Sequence, residues 1–200
     1  MTQSSTLKQT SEDKSIDIGR IEKAVREILI AIGENPDREG LLDTPNRVAR
    51  MYEEIFVGLR QNPNDELSCT FSENYNGIVL VKDIEFYSMC EHHILPIHGF
   101  AQIAYIPGES GKVTGISKLA RLVEGYAKRP QLQERLTQQV AQGLFETLEA
   151  SGVMVVIEAS HMCMSMRGVK KSEAKTTTIC TLGNFKTDAN LQNQFFKMLE

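Results

Sequence analysis

Four histidines and four cysteines are the residues of this 200-residue chain whose types suit metal chemistry. Three of the histidines follow Cys90 within eight positions, and the fourth, His161, precedes Cys163 by two. Thiolates and imidazoles are the ligands that zinc prefers, in a tetrahedral arrangement. The spacing therefore indicates a metal site built from residues 90–93 and residues 161–163. Cys69 and Cys180 have no nearby histidine and are predicted to be packing residues.

The spacing admits more than one kind of metal site. A catalytic zinc ion has three protein ligands and a water molecule, whereas a structural zinc ion has four protein ligands. Either His92 or His93 satisfies the spacing. If residues 160–163 continue a strand, His161 and Cys163 project from the same side, because side chains alternate along a strand. Without a metal these side chains would be ordinary polar or packing residues, which their clustering disfavours.

Four segments contain closely spaced polar residues that form motifs. They are Cys90–His93 (Cys-Glu-His-His), Gly115–Arg121 (Gly-Ile-Ser-Lys-Leu-Ala-Arg), Arg129–Thr137 (Arg-Pro-Gln-Leu-Gln-Glu-Arg-Leu-Thr) and His161–Gly168 (His-Met-Cys-Met-Ser-Met-Arg-Gly). Together and in this order they closely resemble the motifs of the GTP cyclohydrolase I family. The resemblance extends from about Ile21 to Leu182 and includes Asp43-Thr44-Pro45.

The resemblance implies a zinc-dependent reaction at the guanine ring of GTP. The implied zinc ligands are Cys90, His93 and Cys163, with a water molecule in the fourth position, whose pKa zinc lowers far below that of free water, towards ~7. That water adds to C8, the imidazole ring opens, formate leaves, and the ribose rearranges to give 7,8-dihydroneopterin triphosphate. His92 and His161 are implied as the proton carriers, a task that suits imidazole near neutral pH.

The resemblance also implies how GTP is bound. Guanine presents N1–H and a 2-amino group side by side, and one carboxylate can accept from both donors. Glu134 is the implied anchor, with Gln133 beside it. Arg47 is expected to reach the phosphates in the site of a neighbouring subunit. The remaining implied contacts, with the triphosphate and on the ribose side, are those of Lys118, Arg121, Arg167 and the catalytic hydroxyl of Ser117. Without the resemblance each cation would be interpreted as a solvated surface charge.

Hydrophobic periodicity predicts the elements that position these motifs. Apolar residues at steps of three and four predict helices over residues 18–32, 44–59, 117–128 and, opening at Pro130, 130–148. Strand-like runs cover residues 78–81, 84–89, 100–106, 153–159 and 175–182. The core order is strand, strand, helix, helix, strand, strand. This order predicts an α+β fold with an antiparallel four-stranded sheet and two helices on one face.

The family that the motifs resemble has the tunnelling fold, in which the sheets of several subunits join into a barrel with helices outside. The resemblance implies a homodecamer of two stacked pentamers, with active sites between subunits. The exposed edges of a small sheet favour such pairing on physical grounds. The predicted segments are a disordered polar tail (1–15), an N-terminal helical segment (16–62), a loop (63–76), the catalytic core (77–185) and a C-terminal segment (186–200).

The composition disfavours several classes of protein. A net charge of -4 gives the chain no overall attraction for nucleic acid. No apolar run is long enough to span a membrane, and residues 1–15 lack the apolar stretch of a signal peptide. Four cysteines in 200 residues are too few for a disulfide scaffold. We therefore expect a cytosolic protein with neither nucleic acid nor a membrane as a partner; GTP as its substrate is what the resemblance implies.

Two other functions fit parts of the pattern. A relative on the same fold, such as a nitrile reductase of queuosine synthesis or a pterin synthase, would also bind a purine or pterin through a glutamate. The reductase would use a cysteine nucleophile and NADPH. A non-catalytic zinc-stabilised protein could lose His161, Glu134 or the cations, all of which this sequence retains. The sequence does not reveal the pathway that uses the product, an effector or a regulatory partner, and two thiolates favour zinc over iron or manganese.

Overall fold

The helices and strands of the chain were located in a computed structural model, which describes residues 15–200. In chain order they are α1 (Ile18–Ala31), α2 (Thr44–Ile55), β1 (Thr70–Ser72), β2 (Val79–Cys90), β3 (Pro96–Ile106), β4 (Lys112–Thr114), α3 (Ile116–Ala127), β5 (Pro130–Gln131), α4 (Gln133–Thr147), β6 (Gly152–His161), α5 (Met162–Ser165), β7 (Lys175–Gly183), α6 (Asn184–Thr187) and α7 (Ala189–Leu199). Short 3₁₀ turns cover Glu39–Leu41, Val57–Leu59 and Pro63–Ser68. The tail predicted for residues 1–15 lies, apart from Ser15, outside the described residues.

The chain divides into two compact units, one ending at Glu54 and the other beginning at Ile55. In the first unit α1 begins where the side chain of Asp17 accepts a hydrogen bond from the backbone N–H of Arg20 at 2.8 Å. Such a side-chain cap satisfies one of the free N–H groups at a helix start. The helix predicted to begin at Thr44-Pro45 does so.

The second unit contains the sheet, whose strand order is β5-β2-β3-β6-β7. The pairs β2–β3, β3–β6 and β6–β7 are antiparallel, and β5 is parallel to β2. The predicted order of strands and helices is confirmed, and it is the subunit arrangement of an α+β tunnelling fold. β1 and β4 form a separate two-stranded ribbon.

The main core lies between one face of the sheet and the apolar faces of α3 and α4. Its fully buried members include Leu122 of α3, Leu144 of α4 and Val155 of β6. The opposite face is covered at one end, where Met154 and Phe185 belong to a second cluster with α7. Residues 154 and 155 belong to different clusters because side chains alternate along a strand.

Three details differ from the predicted elements. The helix predicted to open at Pro130 begins at Gln133, because Pro130–Gln131 pairs with the end of β2 as a fifth strand. The two strand-like runs within residues 78–89 belong to one strand with a bulge between them, where Asp83 has φ 56° and its N–H donates to Oε1 of Gln102 at 2.7 Å. The loop predicted for residues 63–76 contains a 3₁₀ turn and β1.

Among residues 15–200, the structure shows no helix that combines the length and the apolarity needed to cross a lipid bilayer.

Candidate metal and substrate site

The end of β2 and the turn after β6 bring together three side chains that could hold a metal ion. They are Cys90, His93 and Cys163, whose ligand atoms all lie within 4.8 Å of one another. Cys90 is 4% exposed at the end of β2, and a tight turn follows it, in which the N–H of Ile94 donates to the Cys90 carbonyl at 2.8 Å. This turn returns His93 to the vicinity of the Cys90 thiol.

Cys163 is placed at this cluster by a helical turn and not by an extended strand. β6 ends at His161, and Met162–Ser165 forms a single helical turn, α5. The strand therefore does not continue through residues 160–163, which was the condition for His161 and Cys163 to project from the same side. The helical turn carries the Cys163 thiol toward Cys90, close enough for the pair to share one metal ion.

The electrostatics of the cluster depend on burial, on the second thiol and on one cation. Burial raises the pKa of the Cys163 thiol, the neighbouring Cys90 raises it further, and Arg167 acts in the opposite direction. The guanidinium of Arg167 lies 3.1 Å from Nε2 of His93. Because a guanidinium can only donate, that nitrogen accepts the hydrogen bond. Two thiols and an imidazole match the ligand preference of zinc.

His161 lies two residues before Cys163 and is partly buried. Its Nε2 lies 2.7 Å from Oε1 of Gln133, the first residue of α4. Burial lowers the pKa of His161, and the nearby charge of Glu134 opposes that shift. A neutral imidazole beside the cluster can accept a proton near neutral pH.

His92 is exposed in the turn after β2. Its ring is edge-on to that of His93, with 6.4 Å between the ring centroids. A second imidazole is thereby placed beside the metal cluster.

Glu134 is exposed in the first turn of α4. It lines a pocket of about 290 Å³ together with Thr178, Ile179 and Cys180 of β7. β7 is an outer strand of the sheet, so this pocket lies at a sheet edge. Its carboxylate is close enough to His161 to influence the pKa of that imidazole, which places the two candidate groups in one neighbourhood.

Lys118 and Arg121 of α3 share one carboxylate. Nζ of Lys118 lies 3.3 Å from Oε2 of Glu66, and Nη1 of Arg121 lies 3.5 Å from the same oxygen. Ser117 is exposed one residue before Lys118, in the first turn of α3. Arg121 also lines an open cavity of about 630 Å³ in which Lys128 and Glu124 are further charged residues. The two cations therefore converge on one point, as a site for a polyanion requires.

Arg47 belongs to the other unit, on α2, where it forms a surface ion pair with Asp43 at 3.5 Å. Its expected contact with a neighbouring subunit stays a prediction.

Two residues that the sequence did not single out contact the site. Glu66, in the 3₁₀ turn Pro63–Ser68, holds the two α3 cations. Arg135 binds both oxygens of Glu91 at 2.5 and 3.3 Å. Each contact joins residues that are far apart in the sequence, so the sequence alone does not predict it. Arg135 does lie inside the motif 129–137. Nothing in the local pattern marks Glu66.

Comparisons with known proteins agree with the motifs. The family described as GTP cyclohydrolase I matches residues 21–200. GTP cyclohydrolase 1 of Geobacillus kaustophilus is 57% identical over 92% of this chain and 98% of that protein. The corresponding values are 63%, 86% and 89% for GTP cyclohydrolase 1 of Carboxydothermus hydrogenoformans, and 60%, 88% and 92% for that of Bacillus subtilis.

A solved structure described as the archaeosine synthase QueF-Like in the apo form is 17% identical, with a TM-score of 0.43, and covers 54% of this chain and 94% of that one. The family match covers most of the chain, and the identities with the three relatives exceed 50%. The chain belongs to the GTP cyclohydrolase I family.

Proposed function

We propose that this chain opens the imidazole ring of the guanine of GTP by hydrolysis, releases C8 as formate, and forms 7,8-dihydroneopterin triphosphate. The observation that carries the proposal is the meeting of the Cys90, His93 and Cys163 cluster with His161 and Glu134 in a chain of this family. The relatives named above are GTP cyclohydrolases by name. The chain is accordingly an enzyme.

Zinc is the proposed cofactor, held by Cys90, His93 and Cys163. Two thiolates and one imidazole fit its ligand preference better than that of magnesium or manganese. When bound by three protein ligands, zinc keeps a position for water and lowers the pKa of that water towards about 7, which supplies a nucleophile at neutral pH. Arg167 contributes a fixed positive charge beside His93.

Glu134 is the proposed guanine anchor. Its two carboxylate oxygens match the N1–H and 2-amino donors of guanine, a pair that adenine lacks. The pocket in front of it is about 290 Å³ and is lined by further α4 side chains, among them Gln138 and Gln142, and by side chains of β7.

His161 and His92 are the proposed proton carriers. Opening the ring at C8 requires a proton to be taken from the attacking water and another to be given to the departing ring nitrogen. His161 is partly buried with a lowered pKa, which keeps its imidazole available as an acceptor near neutral pH. His92 is exposed in the turn after β2, and it can serve the second transfer.

The triphosphate is proposed to bind Lys118, Arg121 and Arg167, with Ser117 on the ribose side. In the free chain Lys118 and Arg121 are already drawn together by Glu66. Incoming phosphate oxygens replace or share that carboxylate. Charge-assisted bonds from lysine and arginine are the common means of holding phosphate groups.

A homodecamer with active sites between subunits is proposed as the working assembly. The Glu134 pocket lies at the outer strand β7, whose second edge has no strand beside it among the described residues. Open edges favour pairing with another chain. A neighbouring subunit at this edge would close the pocket and could supply Arg47. A cytosolic location is also proposed, because the four cysteines are free thiols and thiols persist in a reducing compartment.

The experiment is an assay of both products. Purified zinc-loaded protein is incubated with GTP, the product is oxidised and dephosphorylated, and fluorescent neopterin and formate are measured. We expect both products in equal amounts, their loss with a strong chelator, and their return with zinc. ATP in place of GTP and the His161→Ala variant serve as controls. No product from zinc-loaded, correctly assembled protein would remove the enzymatic proposal.

A further inference from the structure

Gln133 is a buried polar side chain beside the site, and both ends of its amide have hydrogen-bond partners. The residue is 2% exposed at the start of α4. Its Nε2 lies 3.0 Å from the carbonyl oxygen of Ile157 and 2.9 Å from that of Thr176, with Oγ1 of Thr178 at 3.2 Å. The amide therefore lies against the backbones of β6 and β7, and not in the open pocket.

These partners determine the orientation of the Gln133 side-chain amide. Backbone carbonyl oxygens only accept hydrogen bonds, so the NH₂ end of Gln133 must face Ile157 and Thr176. Turning the amide over would place its oxygen against two carbonyl oxygens and leave buried acceptors without a donor, which is costly. The amide oxygen is therefore directed at His161, with Oε1 at 2.7 Å from Nε2 of that ring.

The orientation of the amide assigns the proton on the imidazole. An amide oxygen only accepts, so the His161 nitrogen that faces it must carry a hydrogen. In the neutral ring that hydrogen lies on Nε2, and Nδ1 keeps the free lone pair. The hydroxyl of Thr178, which lies 3.2 Å from the Gln133 amide nitrogen, is itself 2.6 Å from the hydroxyl of Thr137, and Thr137 donates to the main-chain carbonyl of Gln133 at 2.8 Å.

We propose that Gln133 is a positioning residue for His161, whose ring it holds in one orientation and as the Nε2–H tautomer through the contact between Nε2 and Oε1. The effect of this orientation on turnover rests on the proposed function, but the tautomer itself does not.

This role differs from the direct substrate contact that the resemblance implied for Gln133. Both amide hydrogens and the amide oxygen are already used by the protein. Guanine binding is thereby left to Glu134, the exposed neighbour in the same turn. The two adjacent residues divide their work because successive positions on a helix project in different directions.

The first test determines the tautomer of His161 in the absence of substrate. Zinc-loaded protein labelled with ¹⁵N at its histidines is studied by solid-state NMR at about pH 8.5, where imidazole is neutral, and the His161 signals are identified by their absence in His161→Ala. A hydrogen on Nε2 supports the proposal. A hydrogen on Nδ1 overturns it. This result is independent of GTP turnover, so a failure of the proposed function would be recognised separately by the absence of pterin and formate.

The second test separates positioning from binding. In Gln133→Met, which has a similar volume and no amide, we expect kcat to fall at least about tenfold, with KM for GTP changed less than about twofold. The Nε2–H preference should be lost in the same variant. A raised KM with kcat retained would instead make Gln133 a substrate contact and overturn the proposal. Gln192→Met is the matched control, since Gln192 also donates to a backbone carbonyl, at 2.6 Å to Phe185, but lies on α7. It should preserve kcat and the tautomer.

Discussion

At the scale of single residues, the proposed choice of guanine over adenine depends on the charge and shape of one carboxylate. Glu134 is exposed, lines the 290 Å³ pocket, and is close enough to His161 to raise its pKa. Replacing one carboxylate oxygen by an NH₂ group would set a donor against a donor of guanine. The same change would also remove the charge that acts on His161.

For Glu134→Gln we expect the affinity for GTP to fall by about 10- to 100-fold, which corresponds to the loss of about 1.5–3 kcal/mol from a charge-assisted hydrogen bond. The affinity is measured by equilibrium binding of GTP to the zinc-loaded protein. Glu146→Gln, on the same helix and bonded to Gln142 at 2.7 Å, is the control and should bind GTP normally. Equal affinity of Glu134→Gln and the unmodified protein would refute the anchor.

Glu66 is the second residue whose charge invites a test. Its carboxylate occupies both α3 cations in the free chain, so it competes with incoming phosphate. In Glu66→Gln we expect inorganic triphosphate to bind about two- to fivefold more tightly, since a partly exposed ion pair contributes up to about 1 kcal/mol. Inhibition of GTP turnover by triphosphate gives the constant. Asp65→Asn removes the same charge one residue away, where the carboxylate accepts from Asn62 at 2.9 Å. A similar change in both variants would argue against a specific role for Glu66.

At the scale of elements, the turn after β2 is tied to the start of α4. Arg135 binds both oxygens of Glu91, and the N–H of Glu91 donates to the carbonyl of Gln131 at 3.1 Å. The pairing of Cys90 with Gln131 in β5 adds a third link. The metal ligands of the turn and the guanine anchor on α4 therefore belong to one connected piece of structure.

This connection predicts the behaviour of Arg135→Met. Freed from its ion pair, the turn that carries Cys90 and His93 should hold the metal less firmly, and the rate of zinc loss to a chelator should rise about 10-fold or more. Lys112→Met removes another surface ion pair, with Glu149, and is the control. Identical rates of zinc loss in the two variants would show that the ion pair does not support the metal turn.

How far the sequence predicts such elements depends on whether the information is local. The apolar spacing in α3 and α4 predicts both helices, because each buries one stripe against the sheet. The strand Pro130–Gln131 is not predicted from local sequence because its pairing partner, the end of β2, lies about forty residues away. The helical turn α5 is not predicted because four residues are too few to show a hydrophobic period. The metal cluster is predictable in composition from clustered Cys and His, whereas the partners of Gln133 depend on three distant segments.

For the molecule as a whole, the proposed active site requires more than one copy of the chain. The Glu134 pocket is open along β7, and Arg47 is expected to act on a neighbouring site. Subunits that each lack one half of a shared site can restore each other when mixed.

We therefore predict complementation between two inactive variants. Arg47→Ala and Glu134→Ala subunits, co-expressed in equal amounts, should regain about a quarter of the normal activity, because about one interface in four then combines both intact residues. The mass of the mixed particle, measured by sedimentation, should equal that of the unmodified assembly. Each variant alone is the control. A mixture no more active than its parts would place Arg47 outside the neighbour's site.

Carbon labelling follows C8 of guanine through the proposed ring opening. Zinc-loaded protein is given GTP labelled with ¹³C at C8, and the reaction is followed by NMR. The label should leave the purine signal and appear in formate, in step with the growth of the pterin and not in the presence of a chelator. Label retained in the purine, or in any product other than formate, would contradict the proposed ring opening.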